Sequence, residues 1–255
     1  TGKTGVVLAT SGPGATNLVT GIATAYMDSI PMVIITANVA NSLIGRDAFQ
    51  ETCITGITFP VTKHSYFVNK TDELADALRN AFRIANEGRK GPVLVDITKD
   101  VTGATVDYQP APNCELKKVQ QEELDKKIAS FAKYINKAEK PVLYLGGGVI
   151  ASEASEEVMR LMEKADIPAV NSMMAAGAVP VTDDRSFGML GMHGSYAANK
   201  CIAEADLVLA VGTRFSDRVA LNPKKFASKA KILQIDIDKS EVSKNVTVND
   251  AIVGD

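Results

Sequence analysis

The residues Thr10-Ser11-Gly12-Pro13-Gly14-Ala15-Thr16-Asn17 are the part of this chain best suited to chemistry. They follow an apolar run, Gly5 to Ala9, and open an amphipathic stretch with Leu18, Ile22 and Ala25 on one face. A strand that passes through Gly-Pro-Gly into a helix brings bare backbone N–H groups and the positive end of a helix dipole to the edge of a sheet. Open α/β sheets bind their ligands at that edge. Polar and glycine-rich strand ends recur at Thr98-Lys99-Asp100, Gly146-Gly147-Gly148, Asn171-Ser172, Gly212-Thr213-Arg214 and Asp236-Ile237-Asp238. Glycine lets backbone come close, arginine pairs with phosphate oxygens, and a carboxylate accepts ribose hydroxyls. The composition suits a phosphate-bearing cofactor.

Several of these segments carry two readings. Gly146-x-Gly148-x-x-Ala151 has the form of a dinucleotide fingerprint, or is a tight strand-to-helix turn with no ligand. The acid expected about 20 residues further on is missing. Asp166 precedes the strand at Ala169, and Asp236 and Asp238 could instead supply the ribose contact. His193, in Gly191-Met192-His193-Gly194-Ser195, reads first as a hydrogen-bonded loop residue and second, beside Met192, as a contact for a flat heterocycle. The segment Gly212 to Val219 holds Arg214 and Arg218. Its strand-end position favours a diphosphate clamp over a salt-bridged surface turn. Within Ile44 to Glu51, Phe49 offers an apolar wall and Gln50 a neutral amide that both donates and accepts. The alternative there is an amphipathic surface turn. Lys63-His64 opens a β-like run, Ser65 to Val68, and reads as structural. No Ser stands in a G-x-S-x-G elbow, and with two His no nucleophile–base–acid triad can be assembled. No metal-ligand spacing occurs. The chain is therefore expected to position a cofactor that carries the reaction.

Positioning these groups takes alternating strands and helices. Residues 1–103 read as strand Val6 to Ala9, a helix from Ala15 to about Met27, strand Met32 to Ala37, a third helix, and strand Val93 to Ile97. Leu74, Ala77, Leu78, Ala81, Phe82 and Ala85 give that helix its i, i+3, i+4, i+7 stripe. Thr71 is its predicted N-cap and Gly88 its end. Residues 104–121, with Pro110, Pro112 and Asn113, read as an interdomain linker. Residues 122–255 repeat the pattern. A helix with Leu124, Ile128, Phe131 and Ile135 on one face leads to strand Val142 to Leu145 and the Gly146 turn. A helix carrying Val158, Leu161 and Met162 follows, then strands at Ala169, Leu207 to Val211 and Ile232 to Ile237. Near-continuous apolar strands of this kind suit parallel sheets covered on both faces. The expected fold is α/β, with two doubly wound parallel-sheet domains.

Composition narrows the function. The 255 residues are 45% hydrophobic and 23% charged, ordinary for a globular protein, with a formal net charge of −2. No basic excess points to nucleic acid or to an anionic membrane. The Lys pairs at 117–118, 126–127 and 224–225 read as solvated faces. Cys53, Cys114 and Cys201 are far apart and lack CxxC spacing, which argues against disulfides or zinc and fits a reducing cytoplasm. No apolar run approaches the roughly 18 residues of a membrane span. The opening Thr1-Gly2-Lys3-Thr4-Gly5 is no signal peptide and lacks a starting Met, so the chain is expected to be a piece of something longer.

Taken together, Thr10 to Asn17, Asp47 to Glu51, Thr62-Lys63-His64, Gly88 to Val93, Lys99-Asp100, Gly191 to Gly194 and Arg214 to Val219 resemble the large catalytic subunit of the acetohydroxyacid synthase (acetolactate synthase) family. These are thiamine-diphosphate enzymes that also carry FAD. The resemblance covers nearly the whole chain. It implies an enzyme that decarboxylates pyruvate on thiamine diphosphate and joins the two-carbon unit to a second pyruvate or to 2-oxobutyrate, in branched-chain amino acid biosynthesis. It makes residues 1–103 the later part of a pyrimidine-binding domain. Residues 122–255 become a nearly complete central FAD-binding domain of DHS-like Rossmann form. Pro13 and Asn17 would lie against the thiamine pyrimidine in a site completed by another subunit, with Phe49 and Gln50 at the reacting centre and Lys99 at its entrance. Arg89, Gly146, Gly147, Gly148, Met192, His193, Gly212, Thr213, Arg214, Arg218, Val219, Asp236, Ile237 and Asp255 would contact a structural FAD.

The resemblance further implies a homodimer or homotetramer, admits a regulatory small subunit as partner, and suits the cytoplasm. The catalytic glutamate would lie before Thr1, and the Mg²⁺- and diphosphate-holding segment after Asp255, so the isolated chain is expected to be inactive. Two departures stand out. Ala37-Asn38-Val39-Ala40 replaces the family's usual Gly-Gln-Val-Pro, and Phe215-Ser216-Asp217-Arg218 replaces Phe-Asp-Asp-Arg. The alternatives are another three-domain thiamine-diphosphate enzyme (glyoxylate carboligase, oxalyl-CoA decarboxylase or pyruvate oxidase) and a non-catalytic nucleotide-binding module.

Overall fold

The computed structural model describes residues 2–110 and 121–255. Most of the expected linker, with Pro112, Asn113, Cys114 and Lys117-Lys118, lies outside the described residues. The chain divides into two units, Thr1–Glu115 and Leu116–Asp255.

The first unit is built on four parallel strands: β1 (Gly5–Ala9), β2 (Met32–Asn38), β3 (His64–Val68) and β4 (Pro92–Thr98). Their spatial order is β1-β2-β4-β3. The register pairs Gly5 with Met32, and Met32 with Pro92. All seven residues of β4 are buried, as its apolar run demands of a central parallel strand. Side-chain alternation assigns the two faces. Val33, Val93, Val95 and Ile97 pack with Ala77, Ala81 and Ala85 of helix α4 (Leu74–Asn86). Ile34 and Leu94 on the other face pack with Ala15, Ile22 and Ile54.

Three local expectations are corrected. The first helix is a single turn, α1 (Pro13–Thr16), followed by α2 (Val19–Met27). The join tightens, with the Leu18 N–H donating to the Ala15 carbonyl at 3.1 Å. Thr71 does not cap α4. It lies in a 3-10 turn, Thr71–Glu73, through which the chain winds into the helix, and no side chain makes the capping bond. Phe82, part of the predicted stripe, is exposed. Helix α3 (Ile54–Thr58) went unpredicted, being too short to show a period. Gly88 ends α4 as expected, with φ of +58°.

The second unit carries six parallel strands: β5 (Pro141–Leu145), β6 (Ala169–Asn171), β7 (Ser186–Met189), β8 (Leu207–Val211), β9 (Lys231–Asp236) and β10 (Asp250–Val253). Their order is β10-β9-β8-β5-β6-β7. The chain leaves β5 in one direction and returns to build the other side from β8, so the switch point lies between β5 and β8. One face packs Leu143, Leu145, Leu209 and Leu233 with Phe131 of α6 (Gln121–Lys137) and Met162 of α8 (Ser155–Ala165). The opposite face packs Val142, Tyr144, Val208 and Ala210 with Ala198 and Ile202 of α9 (Tyr196–Glu204). Ile128 of the α6 stripe is exposed. Strands β7 and β10 went unpredicted. Ser186-Phe187-Gly188-Met189 is broken by a glycine at φ of +80°, and Asp250–Val253 is a short stretch opened by an acid.

Candidate cofactor sites

In the first unit the parallel order sets the carboxyl ends of β1, β2 and β4 side by side. Gly12 turns the chain out of β1 with φ of +58°. A Cβ placed on it would stand 2.8 Å from the Gln50 Cβ and 2.9 Å from the Gln50 Cα. Only glycine permits this approach, and it brings the Gly-Pro-Gly corner against the Asp47 to Glu51 loop. Gln50 is itself left-handed, with φ of +62°. Glu51 ties the loop internally. Its carboxylate accepts the Gly45 N–H at 2.5 Å and the Ala48 N–H at 2.9 Å. Those backbone bonds, Gly45 first, hold its pKa below the usual carboxylate value.

The Phe49 ring is 88% exposed, and Pro13 and Asn17 are also exposed on the same edge. Lys99 opens α5 (Lys99–Thr102) after β4, with its side chain in solvent and its N–H 3.5 Å from the Val39 carbonyl. The next residue, Asp100, accepts the Asn41 N–H at 2.5 Å. Thus Pro13, Asn17, Phe49, Gln50 and Lys99 share one edge. Arg89 does not join them. It precedes β4, at the amino edge of the same sheet, where its Nε donates to Ser29 Oγ at 2.8 Å. Lys63 is structural, its ammonium donating to the Ile84 and Glu87 carbonyls at the end of α4. His64 packs edge-on against Tyr66.

In the second unit the glycines meet at the switch point. The Gly146 N–H donates to the Val211 carbonyl at 2.8 Å, and the Gly148 N–H to the Gly212 carbonyl at 3.0 Å. A Cβ on Gly146 would stand 2.0 Å from the Gly212 oxygen, and one on Gly148 2.5 Å from the Gly212 Cα. The Gly146-x-Gly148 spacing is therefore required by the crossing of two loops, before any ligand enters. Helix α7 (Gly147–Ala151) starts from this crossing.

The loop after β8 is anchored by Phe215, buried against Tyr144 and Phe226 with ring centroids 5.6 Å apart in each pair. Arg214 beside it is half-buried and has no ion-pair partner among the described residues. Arg218 is exposed and pairs with Asp217 at 3.1 Å, the surface-turn arrangement. The Met192 N–H donates to the Arg218 carbonyl at 2.8 Å, bringing the loop of exposed Met192 and His193 onto the Arg218-Val219 turn. Asn199 clamps that loop, accepting the Gly191 N–H and donating to the Gly191 carbonyl.

Asp236 is buried and accepts the Asp238 N–H at 2.9 Å. Asp238 accepts the Ser240 N–H at 2.9 Å and the Ser240 hydroxyl at 2.6 Å, capping the next turn. Ile237 and Asp255 are exposed on the same carboxyl edge. Thr213 is buried, and its carbonyl accepts from Gln234 at 3.3 Å.

Residues 128–255, just over half of the chain, match the family model described as thiamine pyrophosphate enzyme, central domain. The chain belongs to the thiamine pyrophosphate enzyme family. Residues 1–57 match the model described as the N-terminal TPP binding domain of the same enzymes. Over its whole length the chain is 46% identical to the acetolactate synthase large subunit of Buchnera aphidicola subsp. Acyrthosiphon pisum and 49% identical to the acetolactate synthase of Mycobacterium leprae. It is also 46% identical to the acetolactate synthase large subunit of Haemophilus influenzae. The chain spans between 41% and 45% of the length of these relatives.

Both candidate sites lie at strand carboxyl ends, where open α/β sheets bind ligands. Sequence reasoning missed the buried polar groups beneath them. Asp96 lies on the interior strand β4 of the first sheet, and Gln234, on the interior strand β9 of the second, also donates to the Glu241 carbonyl. A signal existed for each: an acid or an amide inside an otherwise apolar central strand has to find partners.

Proposed function

We propose that the chain is part of an acetolactate synthase large subunit, which condenses pyruvate with a second 2-oxo acid, pyruvate or 2-oxobutyrate. The observation that carries this reading is the backbone contact of Gly12 with Gln50. It joins the Gly-Pro-Gly corner to the Phe49-Gln50 loop on one edge, in a chain 46–49% identical to named acetolactate synthases.

Bound thiamine diphosphate supplies the electron-accepting centre on which a 2-oxo acid loses CO₂. The residues present suit its pyrimidine: exposed Pro13 and Asn17 offer an apolar face and an amide. Gln50 presents a neutral amide that donates and accepts without adding charge near a carboxylate substrate. The exposed Phe49 ring offers an apolar wall to that edge, and the Lys99 ammonium draws substrate carboxylates towards it. In the second unit Arg214, without an ion-pair partner among the described residues, the glycine crossing and the exposed Met192-His193 rim suit the diphosphate and ring of FAD. Thr213, Asp236, Ile237, Arg218, Val219 and Asp255 line the same edge. Arg89 is proposed as a further FAD contact, and Mg²⁺ is proposed for the thiamine diphosphate. An oligomer of two or four such subunits, a regulatory small subunit and a cytoplasmic location complete the reading. No helix among the described residues is long and apolar enough to cross a membrane.

The test is product analysis with pyruvate, thiamine diphosphate, Mg²⁺ and FAD, using the full-length protein that contains this chain. Acetolactate is expected, and Gln50→Ala should lower its rate by about 100-fold, in the range of a lost transition-state hydrogen bond. Acetate or CO₂ without acetolactate would replace this reading with another three-domain thiamine-diphosphate enzyme.

A further inference from the structure

On one face of β2 and β4 the side chains change character towards the carboxyl edge. Ile34 and Leu94 are apolar, but Thr36, Asn38, Asp96 and Thr98 follow, all buried. Asp96 is 1% exposed. Both of its oxygens are engaged: Oδ1 accepts from the Thr36 hydroxyl at 2.7 Å, and Oδ2 from Asn38 Nδ2 at 2.6 Å. The same Nδ2 lies 3.5 Å from the Thr52 carbonyl, and Asn38 Oδ1 accepts the Val39 N–H at 2.8 Å. Val39 is the first residue after β2, and Thr52 closes the loop that carries Phe49 and Gln50. One amide therefore pins both feet of that loop.

We propose that Asp96, acting through Asn38, is a positioning residue for Gln50. An ionised carboxylate accepts only, so it fixes which end of the Asn38 amide faces it and which end is left for Val39. A left-handed non-glycine residue such as Gln50 persists only where its surroundings over-determine it. Here the constraints are Gly12 at the tip, Glu51 within the loop, and the Asn38–Asp96 pair at its base. An apolar side chain at 96 would complete the core without the desolvation that burying a carboxylate requires. The carboxylate's effect is on the geometry of the loop. The link from anchored loop to turnover rests on the reading of Gln50 given above, while the anchoring itself does not.

The experiment compares the parent with Asn38→Ala, Asp96→Ala and Asp96→Asn by amide hydrogen exchange. Asn38→Ala should speed exchange across residues 39–52 by about five- to ten-fold, the loss of one net hydrogen bond, while β4 keeps its protection. Asp96→Ala should do the same if it folds. Asp96→Asn should restore protection, because its Oδ1 still accepts from Asn38 and the Thr36 hydroxyl can accept from its Nδ2. In the full-length enzyme Asn38→Ala should lower kcat more than it raises KM, and Asp96→Asn should keep kcat within about two-fold of the parent. Unchanged exchange in Asn38→Ala, or protection lost equally over the whole sheet, overturns the anchoring. A loosened loop with unchanged kcat overturns the positioning of Gln50. An unmodified enzyme that makes no acetolactate removes the functional reading, while exchange still decides the anchor.

Discussion

At the scale of single residues, the first candidate site rests on two acids in opposite environments. Glu51 is stabilised as an anion by backbone N–H groups, chiefly those of Gly45 and Ala48, and its pKa is lowered from 4.5. A lowered pKa contributes stability that is present above the ordinary value and lost as pH falls through the folded one. Glu51→Gln should therefore melt below the parent at neutral pH, and the gap should close on acidification. Asp96 is the reverse case. Burial raises its pKa above 3.8 despite the bonds from Thr36 and Asn38. Its contribution is complete below the ordinary value and is lost as pH rises through the raised one. The melting temperature of Asp96→Asn should gain on the parent from about pH 4 upward. Thermal melts over a pH series check both. Residue type left Phe49 and Gln50 open between an apolar wall with a neutral amide and an amphipathic surface turn, and only the family resemblance singled them out. The Asn38–Asp96 pair was not, because its members are 58 residues apart and meet only once β2 and β4 are in register. The departure at Ala37-Asn38-Val39-Ala40 was legible as a changed substrate-channel wall, but the bond from Asn38 to Asp96 was not.

At the scale of elements, the glycines show what spacing can and cannot tell. The sequence allowed a dinucleotide turn or a tight bend at Gly146 to Gly148. The structure adds a third demand, the passage of the Gly212 loop across it. Gly212→Ala places a Cβ 2.5 Å from the Gly148 Cα at a φ of +58°, where backbone must move. It should cost about 3 kcal/mol or more. Gly147→Ala meets the Met174 Cβ at 3.0 Å, with the nearest backbone atom at 3.7 Å, and should cost less than half as much. Denaturant unfolding of the two variants tests the ranking. Helix ends were less legible. Thr71 had the residue type of a cap, but the chain reached α4 through a 3-10 turn that used its backbone instead. The α1–α2 join at Asn17 has no breaking residue to announce it.

At the scale of the whole molecule, apolar strand runs and short alternating helices were enough to indicate two parallel-sheet units. The spatial order of the strands was not legible, because crossovers are decided by packing between distant segments. One edge of the first sheet has a consequence for handling. Strand β1 exposes Val6 and Leu8, at 56% and 77%, with Met27 and Ile30 also exposed in the same unit. An open, apolar edge of this kind favours association between copies. Light scattering should show mass rising with concentration, and Leu8→Lys should suppress the rise. The loop crossing of the second unit sets a different limit. Gly148 and Gly212 are in backbone contact and joined by the Gly148 N–H to Gly212 carbonyl bond at 3.0 Å, so hinging either loop outward must break that bond. A nucleotide seated on either one therefore stiffens both, and a protease should find the two loops shielded together or open together.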